Sequence, residues 1–323
     1  MQRKDFLKLS AGAAAMLAAP RLALSQSNRP IRLIVPFLAT GSTDICARII
    51  APRLAQVIGR EVRIDNVAGK GGMLGARALV EAPPDGNTLG MATVSTTGTG
   101  PIVRRVIQYD PLVDFSPVIK VVDVPGVVSV HPSFPATNFR DWVAHLRANP
   151  GKYSYGSSGS GSVQHMGMEL LKLRTKTYIV HLPYRSVAPA LTDLVAGRIP
   201  MVWDNLSSSL PLIKSGKVVP IGLAGGQRSP QLPTLQTFTE LGLDNYSAST
   251  YFGVLAPGGT PPDVVRTLND ALNRVIQDPT INEQLVRAGG VPIGGSPEVL
   301  KHQIENELRK WAEVAAYAKV RVG

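Results

Sequence analysis

IRLIVPFLATGSTD, residues 31–44, is an apolar run that breaks into small and hydroxylated residues just before a helical pattern begins. Its first half reads as a strand buried on both faces. From Thr43 to about Ile58, the residues Ile45, Ile49, Leu54 and Val57 recur at helical spacing, with Pro52 as a point of kinking. Strand, hydroxyl-rich turn and helix together open a βα unit. A similar pattern returns as YSYGSSGSGSVQHMGMEL, residues 153–170, where Met166 and Leu170 fall on one helical face.

Outward from these two stretches, short apolar runs alternate with helical periodicity, the signature of βα units. EVRID, NTLGMATV, GVVSVHP, IVHLPY, PMVWDN, VVPIGLAG and STYFGVLAP read as strands, the second ending at Ser95, Thr96 and Thr97. Helices are signalled from Phe139 to Ala148, closed by Asn149-Pro150-Gly151, and from Ser186 to Gly197. Two more follow the last strand, opening at Pro261-Pro262-Asp263 and at Ser296-Pro297. The pattern predicts two α/β lobes, each a mostly parallel sheet flanked by helices, the second inserted in the first. Crossings are expected near 122–127 and 246–251, which gives lobe one residues 26–124 plus 249–323 and lobe two residues 125–248.

Residues 1–25 have the layout of an export signal: a basic start in MQRKDFLKLS, an apolar core in AGAAAMLAA and small residues in ALS. Cleavage is expected after Ser25, by the Sec or the twin-arginine route, leaving a soluble periplasmic monomer. The apolar core is far shorter than the roughly 20 residues of a membrane span. Without the charges of that segment the net charge falls from +11 to +8. A moderately basic exported protein meets anionic solutes readily, and no basic run interleaved with aromatics marks a nucleic-acid face. The single cysteine, Cys46, excludes an internal disulfide and reads as a small inward helix residue.

The catalytic inventory is thin. His131, His145, His165, His181 and His302 form no metal-ligand spacing, and no cofactor is expected. GSSGSGS does not fit Gly-x-Ser-x-Gly, and GKGGMLG lacks the third glycine of a dinucleotide fingerprint. What stands out is the hydroxyl-rich turn at a strand end in each lobe. Glycines let a ligand approach the backbone, hydroxyls donate hydrogen bonds, and the following helix offers unpaired N–H groups and the positive end of its dipole. Either turn alone is equally a helix cap; together, at strand ends in two lobes, they suit a carboxylate clamp. Asp44 reads as a first-turn residue that steadies the turn. Asp204 reads as a helix cap with Asn205 or as an acceptor for a ligand hydroxyl, ammonium or water. Tyr184 is a candidate lining residue, and Arg185 a candidate partner for a second carboxylate.

The stretches RPIRLIVPF with GSTD, YDPLVDFSPV, HPSFPA, ANPGKYSYGSSGSGSVQH, HLPYRSVAPALTDLVAG, DNL, RSPQLPTLQTFTELGL, YFGVLAPGGTP and GGSPE resemble the substrate-binding proteins of tripartite tricarboxylate transporters, the TctC or Bug family. The resemblance implies a Venus flytrap periplasmic-binding fold that holds a small organic acid in its cleft and delivers it to a membrane permease. Carried over, the first clamp loop spans Phe37, Ala39, Thr40, Gly41, Ser42 and Thr43. The second includes Ser157, Ser158 and Ser162, with Ser95, Thr96 and Asp204 at further cleft positions. Ala39-Thr40-Gly41 departs from the family's usual Pro-Gly-Gly, and Val67–Gly72 from its Arg-Pro-Gly-Ala-Gly-Gly. An orphan or sensory receptor, a periplasmic hydrolase using Ser158 or Ser160, and the effector domain of a transcription regulator are the competing readings.

Overall fold

The computed structural model describes residues 29–106, 109–244, 246–318 and 320–322. The expected export segment 1–25 lies outside them. The chain begins with β1 (Ile31–Val35), α1 (Ser42–Ile58), β2 (Val62–Asn66), α2 (Met73–Val80), β3 (Thr88–Thr93), the short α3 (Gly100–Val103) and β4 (Phe115–Val124). It then passes through Pro125 into β5 (Gly126–Val130), α4 (Phe139–Ala148), β6 (Ser154–Ser157), α5 (Val163–Thr175), β7 (Val180–Pro183), α6 (Val187–Val195), β8 (Met201–Asn205), α7 (Leu206–Lys214) and β9 (Val219–Ala224). It returns as β10 (Thr250–Pro257), α8 (Pro262–Gln277), α9 (Pro279–Arg287), β11 (Val291–Pro292) and α10 (Pro297–Ala318).

One sheet has the order β11-β4-β10-β3-β1-β2 and the other β7-β6-β8-β5-β9. Both are mixed. β1 pairs in parallel with β2 and β3, and β6 with β7 and β8, whereas β10 runs against β3 and β4, and β5 against β8 and β9. The reversed strands β5 and β10 are the ones the chain enters on crossing from the other lobe. A strand that starts at the cleft must run opposite to neighbours whose carboxyl ends point into it.

Each sheet is covered by apolar helix faces. Every residue of β5, β8 and β10 is buried, as the continuous apolar runs require. Arg32, the exposed member of β1, pairs with Asp65 at 2.6 Å. Trp142 and Trp203 anchor the second lobe, and Trp311 of α10 packs in the first; all three are fully buried. Gly98 lets α10 come close, since a Cβ there would lie 3.1 Å from Glu307 Cβ and 3.5 Å from Trp311 Cδ1. No helix among the described residues is long and apolar enough to cross a membrane.

Candidate functional site

The carboxyl ends of β1, β6, β7 and β8 all lead into helix starts: α1 with N-cap Gly41, α5 with Ser162, α6 with Ser186 and α7 with Asn205. The positive dipole end sits at each start, and at α5 and α7 several of the first N–H groups are already bonded: Val163 to Ser95 Oγ, His165 to Ser162 Oγ, Ser208 to Ser42 Oγ and Leu206 to Pro125 O. β3 ends before Ser95, as expected, and leads into a π-type turn, Ser95–Thr99. The five turns meet between the lobes.

In the first turn the backbone of Thr40 is left-handed, φ 68°, a conformation that costs a β-branched residue about 1–2 kcal/mol. The turn is held by Asp44. Its Oδ2 accepts from the Thr40 N–H at 3.0 Å and Arg48 Nε at 2.7 Å, and its Oδ1 accepts from Asn66 Nδ2 at 2.9 Å. Burial would raise the Asp44 pKa, but the bonds from Arg48, Asn66 and Thr40 together hold it below its ordinary value. Asp44 is therefore a buried anion used to shape the loop, and its bonds face the protein.

The second turn is held from beneath. Ser157 Oγ lies 2.7 Å from His181 Nε2 and accepts from the Gly159 N–H at 3.1 Å. Ser162 caps α5, accepting from the His165 N–H at 3.3 Å and donating to Gly159 O at 2.7 Å. The Gly161 N–H donates to His165 Nδ1 at 3.1 Å, and the rings of His165 and His181 stack at 4.0 Å. Burial, then Lys172, pushes His165 down to about 4, and burial, then His165, pushes His181 down to about 3. Both rings are neutral supports at ordinary pH.

Between the turns lies a cavity with about 310 Å³ of unfilled space, part of it open to solvent. Its apolar wall is Phe37, Val163, Val187 and Phe252. Its polar wall is hydroxyl and amide: Ser42, Thr43 and Ser95 from lobe one face Ser158, Gln164 and Ser186 from lobe two, with Asn205, Thr93 and Thr250 completing it. Among the described residues no charged side chain lines it. The lobes also bond each other directly. The Val163 N–H donates to Ser95 Oγ at 3.0 Å, Thr99 Oγ1 to Gly161 O at 2.8 Å, and the Ser208 N–H to Ser42 Oγ at 3.1 Å. Arg104 joins the mouths of both lobes, donating to Lys70 O at 2.7 Å and Ser160 O at 2.8 Å.

The candidates from the sequence separate into two groups. Phe37, Gly41, Ser42, Thr43, Ser95 and Ser158 line the cavity. Ala39 and Thr40 are exposed and, like Thr96, Ser157, Ser162, Tyr184 and Asp204, do not line it. Thr96 Oγ1 is turned back to Thr93 O at 3.1 Å, and the Tyr184 hydroxyl donates to Asp193 at 2.8 Å. Asp204 is fully buried; Ser208 and Ser209 donate to its Oδ2 at 2.5 and 2.8 Å, while Oδ1 has no partner. Arg185 is exposed.

Thr93, Val163, Gln164, Val187, Thr250 and Phe252 were not foreseen in the wall, and Ser186 and Asn205 were read only as helix caps. Neither caps. Each leaves a buried polar atom, Ser186 Oγ and Asn205 Oδ1, without a partner. A forgone cap is worth about 1 kcal/mol, and an unpaired buried polar atom costs about 1–3 kcal/mol.

The sequence profile described as "Tripartite tricarboxylate transporter family receptor" matches residues 46–318. The chain belongs to that family. Its members are solute-binding receptors rather than enzymes, and this receptor shares their two-lobed α/β periplasmic-binding fold. Consistent with that, the partner of Ser158 Oγ is Gln164 Oε1, at 2.7 Å, and an amide is no general base. The receptor is 38% identical over 296 residues to the UPF0065 protein of the tcbD–tcbE intergenic region of Pseudomonas sp. strain P51, covering 89% of this chain and 85% of the relative. Among solved structures, R. palustris Rpa4515 with adipate is 36% identical with a TM-score of 0.88, covering 92% of this chain and 99% of that one. MatC from Rhodopseudomonas palustris with bound malate is 28% identical with a TM-score of 0.85, covering 88% and 98%.

Proposed function

We propose that this receptor captures a small organic carboxylate between its lobes in the periplasm and hands it to a tripartite-type permease. The observation that carries the reading is the convergence of four helix starts on a cavity whose described wall holds no charged side chain. A carboxylate there gains about 0.3–1 kcal/mol from a helix dipole, and up to ~2 when partly buried. Each hydrogen bond to the charged group adds about 1.5–3 kcal/mol. A few such contacts hold an anion without an arginine or lysine. A fixed lysine would bind any anion at long range, whereas oriented N–H groups and hydroxyls bind only what fits between them.

A ligand that touches both lobes makes its full set of contacts only when they are closed, so it favours closure by that difference. Two relatives hold adipate and malate, both small dicarboxylic acids. The lobes are taken as residues 26–124 plus 249–323 and residues 125–248, with segment 1–25 removed on export and the mature protein a monomer. The test is thermal denaturation and small-angle scattering of residues 26–323 with a panel of mono-, di- and tricarboxylates and amino acids. One-to-one binding should raise stability by about 2.7 kcal/mol at a hundredfold excess over Kd, with a smaller radius of gyration. Absence of any shift across the panel refutes the reading.

A further inference from the structure

Three N-cap side chains act as caps usually do. Asn138 accepts from the Asp141 N–H, Ser162 from the His165 N–H, and Asp278 from the N–H groups of Thr280 and Ile281. Ser186 and Asn205 hold the same position on α6 and α7 and are residue types that cap well. Neither makes a cap bond. Both side chains are more than nine-tenths buried, both line the cavity, and Ser186 Oγ and Asn205 Oδ1 have no partner in the protein. Ser186 faces the opposite jaw, since a Cβ on Gly41 would stand 3.6 Å from its Oγ.

We infer that Ser186 and Asn205 form a hydrogen-bonding subsite for a ligand hydroxyl, so that the receptor selects a hydroxylated carboxylic acid over the plain acid of the same length. The inference rests on the carboxylate reading above and adds to it. A carboxylate only accepts hydrogen bonds and is served by helix N–H groups and serine hydroxyls. Asn205 Oδ1 also only accepts, so a carboxylate cannot satisfy it. A hydroxyl has the chemistry to satisfy either group, donating to Asn205 Oδ1 or accepting from the Ser186 O–H. An ammonium would donate to Asn205, but it offers nothing to the Ser186 proton. No carboxylate lines the described wall to pair its charge, and a buried unpaired charge is costly. The neighbouring Asp204 does not line the cavity, and its Oδ2 accepts from Ser208 and Ser209.

The experiment is isothermal titration of residues 26–323 at pH 7.5 with matched acids: succinate, malate and aspartate, and the corresponding C5 and C6 sets. At the preferred chain length the 2-hydroxy acid should bind about tenfold tighter than the plain acid, the worth of one well-made buried hydrogen bond. The 2-amino acid should bind no tighter than the hydroxy acid. S186A and N205A should each reduce the ratio of hydroxy-acid to plain-acid affinity from about tenfold to within about twofold. Because neither side chain caps its helix, neither variant should lower the melting temperature of the ligand-free protein, whereas loss of a working cap would. Plain acids that bind as tightly as their hydroxy counterparts overturn the inference and leave the carboxylate reading standing. Preference for the amino acid overturns the hydroxyl assignment. If no acid binds, both readings fall. Should a variant not fold, the matched series on the unmodified receptor decides.

Discussion

Asp204→Asn should make this receptor more stable at neutral pH. Asp204 is sealed at the end of β8; burial pushes its pKa up to about 6 from an ordinary 3.8, against the lowering effect of hydrogen bonds from Ser208, Ser209 and the Asn205 backbone. Because the folded-state value is the higher one, the folded protein binds more protons than the unfolded chain between these two values. The contribution of Asp204 is therefore most favourable below about pH 4 and is lost as pH rises through about 6. The difference corresponds to about 3 kcal/mol, at 1.36 kcal/mol per pKa unit. Asparagine keeps an acceptor for Ser208 and Ser209 but carries no charge. The variant should thus exceed the parent by about 2–3 kcal/mol at pH 7.5 and converge with it near pH 4. Urea unfolding at pH 4, 5, 6 and 7.5 reads this directly. A variant that is equally or less stable at pH 7.5, with an unchanged slope against pH, would refute the burial argument.

Other outcomes follow from three positions, Thr40, Asp44 and Gly71. Thr40→Gly relieves a left-handed β-branched residue and should stabilise the receptor by about 0.5–1 kcal/mol after the added entropy of glycine, raising the melting temperature by about 1–3 °C in calorimetry. Asp44→Ala leaves the Thr40 N–H and the Asn66 amide without their carboxylate and should cost about 2–3 kcal/mol. Its lowered pKa supplies stability above the ordinary carboxylate range that is lost as pH falls through the folded value, so Asp44→Asn should flatten acid unfolding followed by circular dichroism. Gly71→Ala places a Cβ 2.9 Å from Ser160 O of the opposite lobe at φ 65°, whereas Gly216→Ala has the same backbone sign, φ 69°, and nothing within 4 Å. Both should lose similar stability, but only Gly71→Ala should weaken ligand affinity, by about tenfold or more, with an enlarged radius of gyration.

Legibility from sequence followed the range of each signal. α4 ran from Phe139 to Ala148 as its stop signal at Asn149-Pro150-Gly151 required, because capping and termination are written within a few residues. Ser162 was read as a clamp residue but caps α5, because capping and ligand binding use the same residue type at the same position. β4 was not read as a strand: Pro117 and Lys120 break its apolar run, and its place is set by pairing with β10, over a hundred residues away. The π-type turn after β3 was missed because Ser95–Thr99 has no local helical signature. Two of its hydroxyls are fixed by partners across the cleft, Ser95 by the Val163 N–H and Thr99 by Gly161 O.

The sequence alone determined the alternation of strands and helices, the two lobes and the hydroxyl-rich turns at their strand ends, since periodicity and turn chemistry are local properties of the chain. Tertiary structure decided which of those turn residues face the cavity. PFLATGSTD divides accordingly: Phe37 and Gly41–Thr43 line it, Ala39 and Thr40 face solvent, and Asp44 bonds back to the loop. It also decided that Ser186 and Asn205, written as caps, turn from their own helices into the cleft. Capping and ligand binding use the same residue types at the same position, and only the surroundings brought there by folding choose between them.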